Sequence, residues 1–506
     1  MAADATLLDA LREDLGLTSL KDGCSPQGQC GCCTVLVDGV ARVACVTPVR
    51  RVAGRSVTTA SSIDEPLLDR LVAAFEATGA SQCGFCTPGI LSRLAGLSRR
   101  GVPDESKVRT ALGAHLCRCT GFQPIVEAAL LALDPAAQLP PRRDADGAAA
   151  RATLESGTPQ RAGDVVVLGQ GGFAADTAPE GSTVALATAA GGYELAATQA
   201  AARLASAKVQ GRNSTMPLRH PIEPPAVEGA VVVLATTFVE PAYVEPDASW
   251  CAPGGEPSLP FANAGAFGAK RNSPIREDAR RLADELGTPV LAVWPREEVV
   301  RRGAKRPPLA LALRPDGAGV VRVGRTPDSD DLTAVLEQVA AIAPDVTVEL
   351  VDVTGPRIGA THRGAVVAEL LAARASIGSQ PGEEVEVVAP GGGRAVVRLD
   401  AAGIVHVAVD AGEPLCAITL RSYVIGAVHH GLGLVRSEGI AVDDEGQVHD
   451  LTIRSFGIIG AQAMPSVEVE IIESDRPSVP IGVAVMAATM AAAWTEAGQP
   501  PTWPLS

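Results

Sequence analysis

The stretch Gln82-Cys83-Gly84-Phe85-Cys86-Thr87-Pro88-Gly89, with its partner Leu116-Cys117-Arg118-Cys119-Thr120-Gly121, decides how this chain folds. Together the two segments carry four cysteines, and four thiolates close one [2Fe–2S] cluster with two sulfurs on each iron. Apolar residues recur at helical spacing in Ile90–Leu97 and Val108–Leu116. We therefore predict a four-helix domain over residues 59–133 that holds cysteine pairs at its helix ends.

A second cysteine group lies nearer the N-terminus and follows the pattern Cys-x5-Cys-x2-Cys-x11-Cys. Its loop is rich in glycine, which lets backbone N–H groups turn toward cluster sulfurs. A strand at Thr34–Val37, a tight turn and a second strand at Ala41–Cys45 would bring the last cysteine back to the loop. This pattern predicts a plant-type ferredoxin-like domain over residues 1–58, with Cys32 as a bystander that points away. The predicted ligands of the two clusters are Cys24, Cys30, Cys33 and Cys45, and Cys83, Cys86, Cys117 and Cys119.

Zinc and disulfide bonds are the alternative uses of these cysteines. The Cys-x-Cys and Cys-x5-Cys-x2-Cys spacings are poor matches to zinc-finger spacing. Nothing at the start of the sequence resembles a signal peptide or a twin-arginine leader, which argues against disulfides. Nine of the eleven cysteines lie in the first quarter of the chain, as in a metalloprotein of the cytoplasm.

Composition excludes two classes of partner. The 506 residues carry a net charge of −15 and contain no basic tract, so we expect no nucleic acid as partner. No uninterrupted apolar run reaches the length of a membrane span, and the alanine-rich run Val483–Trp494 is expected to be a buried helix.

The segment from Leu7 to Leu133 resembles the iron–sulfur subunit of the xanthine dehydrogenase/aldehyde oxidase family of molybdenum hydroxylases. The two cysteine motifs carry this resemblance, because both are highly specific to the family. The resemblance implies that Gln82 contacts a molybdopterin cofactor beside the second cluster. The family begins with a β-hairpin before the position of Leu7, and this sequence starts just short of it, so we expect either that the hairpin is lost or that the given start is too late.

From about Val231 onward, the chain is similar in pieces to the molybdopterin-binding subunit of the same family. Ala264–Lys270 resembles the family's Gly-Gly-x-Phe-Gly-Gly-Lys loop. The resemblance implies that Phe267 and Gly268 lie at the molybdenum centre. The matching pieces are separated by less chain than in the family, so these domains are expected to be shortened.

One family motif is missing near Pro480–Gly482. There the family has a Gly-Lys-Gly-x-Gly-Glu run, whose glutamate acts as the base on the metal-bound hydroxyl. This chain has Val483–Met490 instead, and no carboxylate follows until Glu496. A general base contributes about 10²–10⁴-fold to a rate. We therefore expect the second half to be a molybdopterin-domain remnant that keeps the fold but not the reaction.

The predicted fold class is multidomain α+β. It comprises a β-grasp ferredoxin-like domain at 1–58, a helical [2Fe–2S] domain at 59–133, a linker at 134–164 that is rich in Ala, Pro, Gly and charge, and shortened mixed α+β molybdopterin-binding-like regions at 165–316 and 317–506. Within these regions we expect a strand at Val165–Leu168 and a helix over Leu195–Ala205.

Three polar segments outside the cysteine motifs draw attention. His429-His430 has the residue type of a metal site but no ligand partners at suitable spacing, so it is predicted to be structural. His362-Arg363 fits both a contact to an anionic cofactor tail and a solvated turn. Arg118, between two predicted ligands, is expected to adjust charge or packing.

The function predicted from these observations is electron transfer in a xanthine dehydrogenase-like molybdenum hydroxylase. No flavin domain lies between the two halves, so FAD is expected on a partner subunit, and a catalytic molybdopterin subunit is expected as a second partner. The alternatives are a self-contained compact molybdenum hydroxylase acting on a purine, an N-heterocycle or an aldehyde, and a non-enzymatic assembly subunit whose clusters are structural. For this chain itself, the family resemblance implies a molybdopterin site, and the missing glutamate motif argues against one.

Overall fold

A computed structural model of the chain describes residues 5–206, 216–359 and 361–505. The first residues of the predicted ferredoxin-like domain, the last residue of the predicted final region and Ala360 beside His362 lie outside the described residues.

The N-terminal part is a small three-stranded sheet with one short helix. Its elements are α1 (Leu7–Asp9, continued by a π-helical turn Ala10–Asp14), β1 (Thr34–Val37), β2 (Val40–Val43) and β3 (Val57–Thr58). The central strand β1 pairs antiparallel with both neighbours. Asp38 and Gly39 join β1 to β2 with φ angles of 49° and 76°, which gives the two left-handed residues that a tight hairpin requires. Cys45 follows β2 directly, in a 3₁₀ turn.

Four helices follow, as the apolar spacing predicts: α2 (Glu65–Thr78), α3 (Thr87–Ser98), α4 (Glu105–Leu112) and α5 (Gln123–Leu133). Helix α2 ends at Gly79, whose φ of 69° closes it in the left-handed conformation. The Asp104 carboxylate accepts a hydrogen bond from Lys107 N–H and thereby caps α4. The second cysteine set lies at the ends of these helices.

The segment predicted as a linker contains helix α6 (Ala145–Ser156). Asp144 caps its start and Gly157 its end, and the buried Arg151 donates to the Val479 carbonyl far along the chain. The linker prediction was wrong for these residues. Alanine has a high helix propensity, and Arg151, the arginine of α6, is paired with Glu155 in the folded chain. The composition of the segment does not reveal this pairing.

The next stretch contains α7 (Asp164–Val167), α8 (Ala174–Thr177), β4 (Thr183–Ala187), β5 (Tyr193–Ala196), α9 (Gln199–Ala205), β6 (Val232–Thr236), β7 (Ala248–Cys251), α10 (Ile275–Leu286), β8 (Val290–Val293), α11 (Arg296–Arg302) and β9 (Leu309–Leu313). Residues 165–167 are helical rather than extended, because a short apolar run has no period that separates a strand from a buried helix. The helix predicted from Leu195 begins at Gln199, since β5 pairs with β4 before it.

The last stretch contains β10 (Gly319–Arg325), α12 (Thr333–Ile342), β11 (Val346–Asp352), α13 (Val367–Ala375), β12 (Val385–Val388), β13 (Arg394–Leu399), β14 (Val405–Asp410), α14 (Ala417–Arg436), β15 (Val467–Ile471), α15 (Gly482–Glu496) and β16 (Thr502–Trp503). The strands of the two stretches form three sheets, in the orders β5-β4-β8-β7, β11-β10-β9-β6-β16 and β12-β13-β14-β15. The predicted multidomain α+β class is confirmed, while the domain boundaries stay predictions.

Helices α14 and α15 form the centre of the second half. They pack on each other, and α15 also covers β12 and β13. The core around them consists almost entirely of Val, Leu, Ile and Ala, as the low aromatic content requires. Helix α15 is buried along nearly its whole length, as predicted for the alanine-rich run. None of the helices in the described ranges is long and apolar enough to cross a bilayer.

Candidate metal centres

The first cysteine set lies in the loop between α1 and β1 and in the turn after β2. All four predicted ligands are at most 2% exposed. Cys24 is hydrogen-bonded to the thiols of Cys30 and Cys45, and Cys45 in turn to Cys33. The backbone N–H groups of Gln27 and Gln29 donate to Cys24 Sγ over 3.3 and 3.5 Å. The loop therefore brings the four sulfurs together and turns backbone amides toward them, as the glycine-rich sequence predicts.

The second cysteine set is formed by the loops before α3 and before α5. Cys83 Sγ and Cys119 Sγ are 3.5 Å apart, and Cys117 is hydrogen-bonded to both Cys86 and Cys119. The Thr120 hydroxyl lies 3.2 Å from Cys117 Sγ. The four sulfurs thus form a contiguous row.

The electrostatics of these sulfurs favour a cationic guest. Hydrogen bonds from neighbouring thiols hold the pKa of Cys24 and of Cys117 well below the usual range. The same hydrogen bonds, together with burial, raise the pKa of Cys45 and of Cys86. Each set can therefore accommodate one thiolate easily, and further thiolates need a positive charge among them.

The arrangement suits two irons rather than one ion. Among the described residues, no three His, Cys, Asp or Glu side chains converge as they would around a single metal ion. Each set is instead a row of four thiols, and a [2Fe–2S] cluster takes two of the four sulfurs on each iron. The donor type and number in both sets therefore fit such a cluster.

Cys32 was expected to point away from the first set, and this expectation was wrong. It is 1% exposed, and its thiol is hydrogen-bonded to Cys30. Burial raises the pKa of Cys32, and the charges of Cys24, Cys33 and Cys83 raise it further, which places its sulfur in the field of both sets. The first cysteine loop packs closely against the second, so the Cys32 side chain is buried between neighbours instead of facing solvent.

The two cysteine sets are connected through the backbone. Leu116, directly before Cys117, donates its N–H to the carbonyl oxygen of Cys30 over 3.0 Å. A side chain at Gly89 would overlap the Gly31 carbonyl oxygen, so helix α3 lies against the first loop only because residue 89 is glycine. Sequence spacing gives no sign of this contact.

Helix α14 of the second half holds the second cysteine loop. His430 Nε2 lies 2.6 Å from the Arg118 carbonyl oxygen, and the Arg118 guanidinium binds both oxygens of Glu438 at 2.6 and 2.7 Å. Arg118 and Glu438 are each 1% exposed. His429 Nε2 lies 2.8 Å from the Ile459 carbonyl oxygen, so each of the two histidines has a backbone partner, and their structural role stays a prediction. Arg118 has the predicted role in charge and packing.

Gln82 lies at the same joint. Its side-chain amide donates to the Cys119 carbonyl over 3.0 Å and to the Ser422 hydroxyl over 2.9 Å. The structure therefore gives Gln82 a connection between the second cysteine loop and α14. Its predicted contact with molybdopterin stays a prediction.

A cavity of about 200 Å³ adjoins the second cysteine set. It brings together Cys119 and the predicted cofactor residues Phe267 and Gly268. Arg363, which the sequence suggested as a contact to an anionic cofactor tail, also lines this cavity. Sequence reasoning missed two further polar groups of the wall, Glu155 and Tyr423. Glu155 was missed because it lies in the segment interpreted as a linker, and no local motif marks Tyr423.

Glu155 supplies a carboxylate at the start of α15, where the sequence from 483 to 490 has none. Its oxygens accept the N–H groups of Ile481 and Gly482 over 3.1 and 3.2 Å, and Arg151 forms an ion pair with it. Burial raises the pKa of Glu155, although Arg151 acts in the opposite direction. An acid therefore lies near this helix start in three dimensions, although the run from 483 to 490 itself contains none.

The cavity is small for the pterin cofactor that the family resemblance implies. Pockets for drug-sized ligands and cofactors measure roughly 300–1,000 Å³. The cavity of about 200 Å³ lies below this range, and the helix start at Gly482 is already occupied by Glu155. The residues present therefore do not fit a pterin cofactor, which needs a pocket within that range.

Comparison with known proteins shows that the first quarter of the chain is similar in sequence to iron–sulfur subunits and domains. Residues 58–130 match the family model of the [2Fe–2S] binding domain. Over 133 residues the chain is 45% identical to the nicotine 6-hydroxylase small subunit of Paenarthrobacter nicotinovorans, covering 26% of this chain and 80% of that subunit. It is 39% identical over 130 residues to the nicotinate dehydrogenase small FeS subunit of Eubacterium barkeri, covering 25% and 82%. The aldehyde oxidoreductase of Megalodesulfovibrio gigas is 44% identical over 133 residues, but the match spans 25% of this chain and only 15% of that protein.

Solved structures resemble the chain over its whole length. The aldehyde oxidoreductase from Desulfovibrio gigas aligns with a TM-score of 0.69 at 15% identity, over 100% of this chain and 97% of that one. The aldehyde oxidoreductase from Desulfovibrio desulfuricans gives 0.68 at 16% identity, over 97% and 95%. At such low identity the likeness is one of fold.

These findings define the chain first as an iron–sulfur protein of the [2Fe–2S] type, because the family match covers the helices that carry the second cysteine set. The chain belongs to the xanthine dehydrogenase/aldehyde oxidoreductase family of molybdenum hydroxylases, with the iron–sulfur subunits as its relatives in sequence. The family resemblance drawn from the cysteine motifs is thereby confirmed.

Proposed function

We propose that the chain is the electron-transfer component of a molybdenum hydroxylase and carries two [2Fe–2S] clusters. The first cluster would be held by Cys24, Cys30, Cys33 and Cys45, and the second by Cys83, Cys86, Cys117 and Cys119. When bound, the two clusters would supply one-electron transfer from the second cysteine set to the first.

The hydrogen bond from Leu116 N–H to the Cys30 carbonyl carries this proposal. It joins a residue adjacent to a ligand of one set directly to a ligand of the other, with no solvent between them. His115 strengthens the same joint, since its Nε2 lies 3.3 Å from both the Thr34 hydroxyl and the Gly89 carbonyl oxygen. Burial is the main cause that lowers the pKa of His115 to about 4, so the imidazole adds no charge between the sets at neutral pH.

The chain's relatives by sequence are named as subunits, which supports work with partner chains. We propose a separate FAD-binding subunit as electron acceptor and a separate molybdopterin subunit as the place of catalysis. The cytoplasm is the proposed location. The second half of this chain would then be a non-catalytic remnant that fixes the second cysteine loop through α14, Arg118 and Glu438.

A self-contained compact hydroxylase is a second candidate, and one observation favours it. The buried Glu155 carboxylate lines the cavity that also contains Phe267 and Gly268. A carboxylate there could act as a relocated base. Its two backbone hydrogen bonds and its ion pair with Arg151 instead favour a structural role, so we rank this candidate second.

Metal analysis and low-temperature EPR of the full chain, reduced with dithionite, test the proposal. About four irons, two rhombic signals and no molybdenum are the expected result. About two irons would refute the two-cluster assignment. One molybdenum per chain with substrate turnover would refute the remnant and support the compact enzyme. Four irons that dithionite cannot reduce would refute electron transfer and leave an assembly subunit with structural clusters.

A further inference from the structure

Two backbone donors to Cys24 belong to glutamines whose other contacts lie in the second half of the chain. The N–H groups of Gln27 and Gln29 donate to Cys24 Sγ over 3.3 and 3.5 Å. Gly28 lies between the two glutamines with a φ of 72°, a backbone conformation that favours glycine and turns both N–H groups toward one sulfur. The direction of these donors therefore depends on what holds the two glutamines in place.

The Gln27 side chain is bonded at both ends of its amide by the second half. Its Nε2 donates to Glu297 Oε1 of α11 over 2.8 Å and to the Leu451 carbonyl oxygen over 3.0 Å. Its Oε1 accepts the N–H of Ile453 over 3.1 Å. Leu451 and Ile453 are fully buried, so packing fixes the positions of these two partners. A side-chain amide with all of these bonds made is held rigidly, and it holds its own backbone N–H with it.

Two arginines of the second half bind the backbone of the same loop. Arg454 donates from Nε to the Gln29 carbonyl oxygen over 2.9 Å, and its backbone N–H lies 3.4 Å from Gln29 Oε1. Arg296 donates from Nε and Nη2 to the Gly23 carbonyl oxygen over 3.2 and 2.8 Å. The second half therefore holds the loop on both sides of Cys24.

N–H groups that point at a ligand sulfur favour the reduced form of a cluster. Reduction adds one electron and makes the sulfurs more negative, and a hydrogen-bond donor stabilises the more negative state. Each well-aligned donor to Cys24 would therefore raise the reduction potential of the first cluster. A higher potential at the first set draws electrons from the second set.

Charge alone does not explain the contact at Gln27. Gln27 is neutral, and the carboxylate of Glu297 would disfavour a further negative charge on the first cluster. What Glu297 contributes is an acceptor that fixes the Gln27 amide. The contact therefore acts through the direction of the N–H groups.

We infer that the second half of the chain raises the reduction potential of the first cluster, with Gln27 as a positioning residue anchored by Glu297, Leu451 and Ile453. This inference rests on the proposed function, since it requires a [2Fe–2S] cluster in the first set. It gives the second half a part in electron transfer besides holding the second cysteine loop.

Redox titration of the full, iron-loaded chain, followed by EPR, tests the inference by measuring the potential of each cluster. Cys117→Ser, which removes a ligand of the second set, identifies the signal of the first cluster. Gln27→Met removes the three side-chain hydrogen bonds without a change of charge. We expect the reduced first cluster to become about tenfold less favoured, a fall of about 59 mV for a one-electron couple. The potential of the second cluster should stay unchanged.

Gln123→Met is the matched control, because Gln123 makes the same kind of contact at another place. Its Nε2 donates to Glu127 Oε1 and to the Val467 carbonyl oxygen, both over 3.0 Å, and its Oε1 accepts the Val467 N–H over 2.8 Å. These bonds join α5 to β15, away from the first cysteine loop. The equilibrium between the oxidised and reduced first cluster should therefore stay within about twofold in Gln123→Met.

Gln27→Asn is a milder variant for the case that Gln27→Met loses the first cluster. Its amide is one methylene too short to reach Glu297 and Ile453 together, so the potential of the first cluster should again fall. An unchanged potential would overturn the inference. A raised potential would also overturn it, because it would indicate water at the cluster instead of lost N–H donors. An equal fall in Gln123→Met would assign the effect to contact between the two parts of the chain in general, and would overturn the role of Gln27.

Iron content separates this inference from the proposed function. About two irons and a single EPR signal in the unaltered chain would overturn the proposed function, and this inference with it. Two reducible clusters, with a first potential that is the same in the unaltered chain and in both Gln27 variants, would overturn this inference alone.

Discussion

The cysteine-rich part of this chain resembles its relatives in sequence, whereas the chain as a whole resembles solved structures only in fold. Up to about Leu133 it is 44–45% identical to relatives from two bacteria, with all eight predicted ligands in place. Across the whole chain, its fold matches aldehyde oxidoreductases at only 15–16% identity. Cluster ligation requires sulfur at fixed positions, whereas a packed core requires only apolar volume in the right pattern. Sequence identity is therefore retained where chemistry needs particular atoms, and fold alone is retained where packing suffices.

The contact between the second cysteine loop and α14, called the joint below, requires both particular polar atoms and close packing. Arg118 from the cysteine region and Glu438 from the second half form a buried ion pair, and Gly426 of α14 lies directly against the Cys119 carbonyl. Such contacts tolerate few substitutions, although none of Arg118, Glu438 and Gly426 is a predicted ligand. Changes on each side of this joint, and at the joint itself, test the contrast.

Removal of one ligand should have the largest effect. Cys117→Ser is expected to lower iron from about four to about two per chain, because the second set then has only three thiolates. Cys251→Ser in β7 is the control and should leave the iron unchanged, since that buried cysteine lies outside both sets. Iron analysis and EPR of the reduced chains measure both. Full iron in Cys117→Ser would contradict the assignment.

Breaking the buried ion pair should have the next largest effect. Glu438→Gln leaves the Arg118 guanidinium buried without a negative partner, which costs about 3–5 kcal/mol in the free energy of unfolding. The double variant Arg118→Met/Glu438→Leu removes both charges and should be less destabilised. Glu386→Gln, in an exposed pair with Arg394, should cost below about 1 kcal/mol. Denaturant unfolding measures all three, and equal losses at the two sites would show that the joint is not special.

Acid should weaken the second half through His429. Burial and the Arg118 charge lower the pKa of His429 to about 4 in the folded chain, against about 6.5 when unfolded. The unfolded chain therefore binds a proton first. The stability contributed by the neutral ring is complete above pH 6.5 and is lost as the pH falls to 4, by up to about 3 kcal/mol. Melting temperatures between pH 7 and 4.5 should fall less steeply in His429→Gln, and identical slopes would contradict this.

A single methyl group at the joint should have the smallest effect. In Gly426→Ala the added Cβ would overlap the Cys119 carbonyl oxygen, so α14 must shift at a cost of about 1–3 kcal/mol. Gly460→Ala places its methyl in open space and should change stability by no more than about 0.5 kcal/mol. EPR adds a second measurement, because Gly426→Ala should alter the signal of the second cluster alone. A change in the EPR signals of both clusters would show that the distortion is not confined to the second cysteine loop.

Much of this structure could be predicted from the order of residues. Cysteine spacing indicated both sets and the family, because ligation fixes residue type and separation together. Apolar periods predicted α3, α4 and α15 close to their observed positions, and the strand β1 has the bounds that the sequence predicts. Sequence patterns gave the wrong structure for α6 and α7. The composition around α6 is typical of a linker, and the apolar run of α7 is too short to show whether its period is that of a helix or of a strand.

What the sequence by itself determined is the chemistry that needs particular atoms at particular spacings, namely eight thiols in two sets. Only the tertiary structure decided which distant groups meet. It placed Glu155 at the start of α15, joined Leu116 to Cys30, and left two donors of the Arg363 guanidinium without a partner among the described residues. The physical reason is that these contacts join residues far apart in the chain or depend on a charge that stays unpaired. Both are properties of the packed molecule, and no local pattern of residues encodes them.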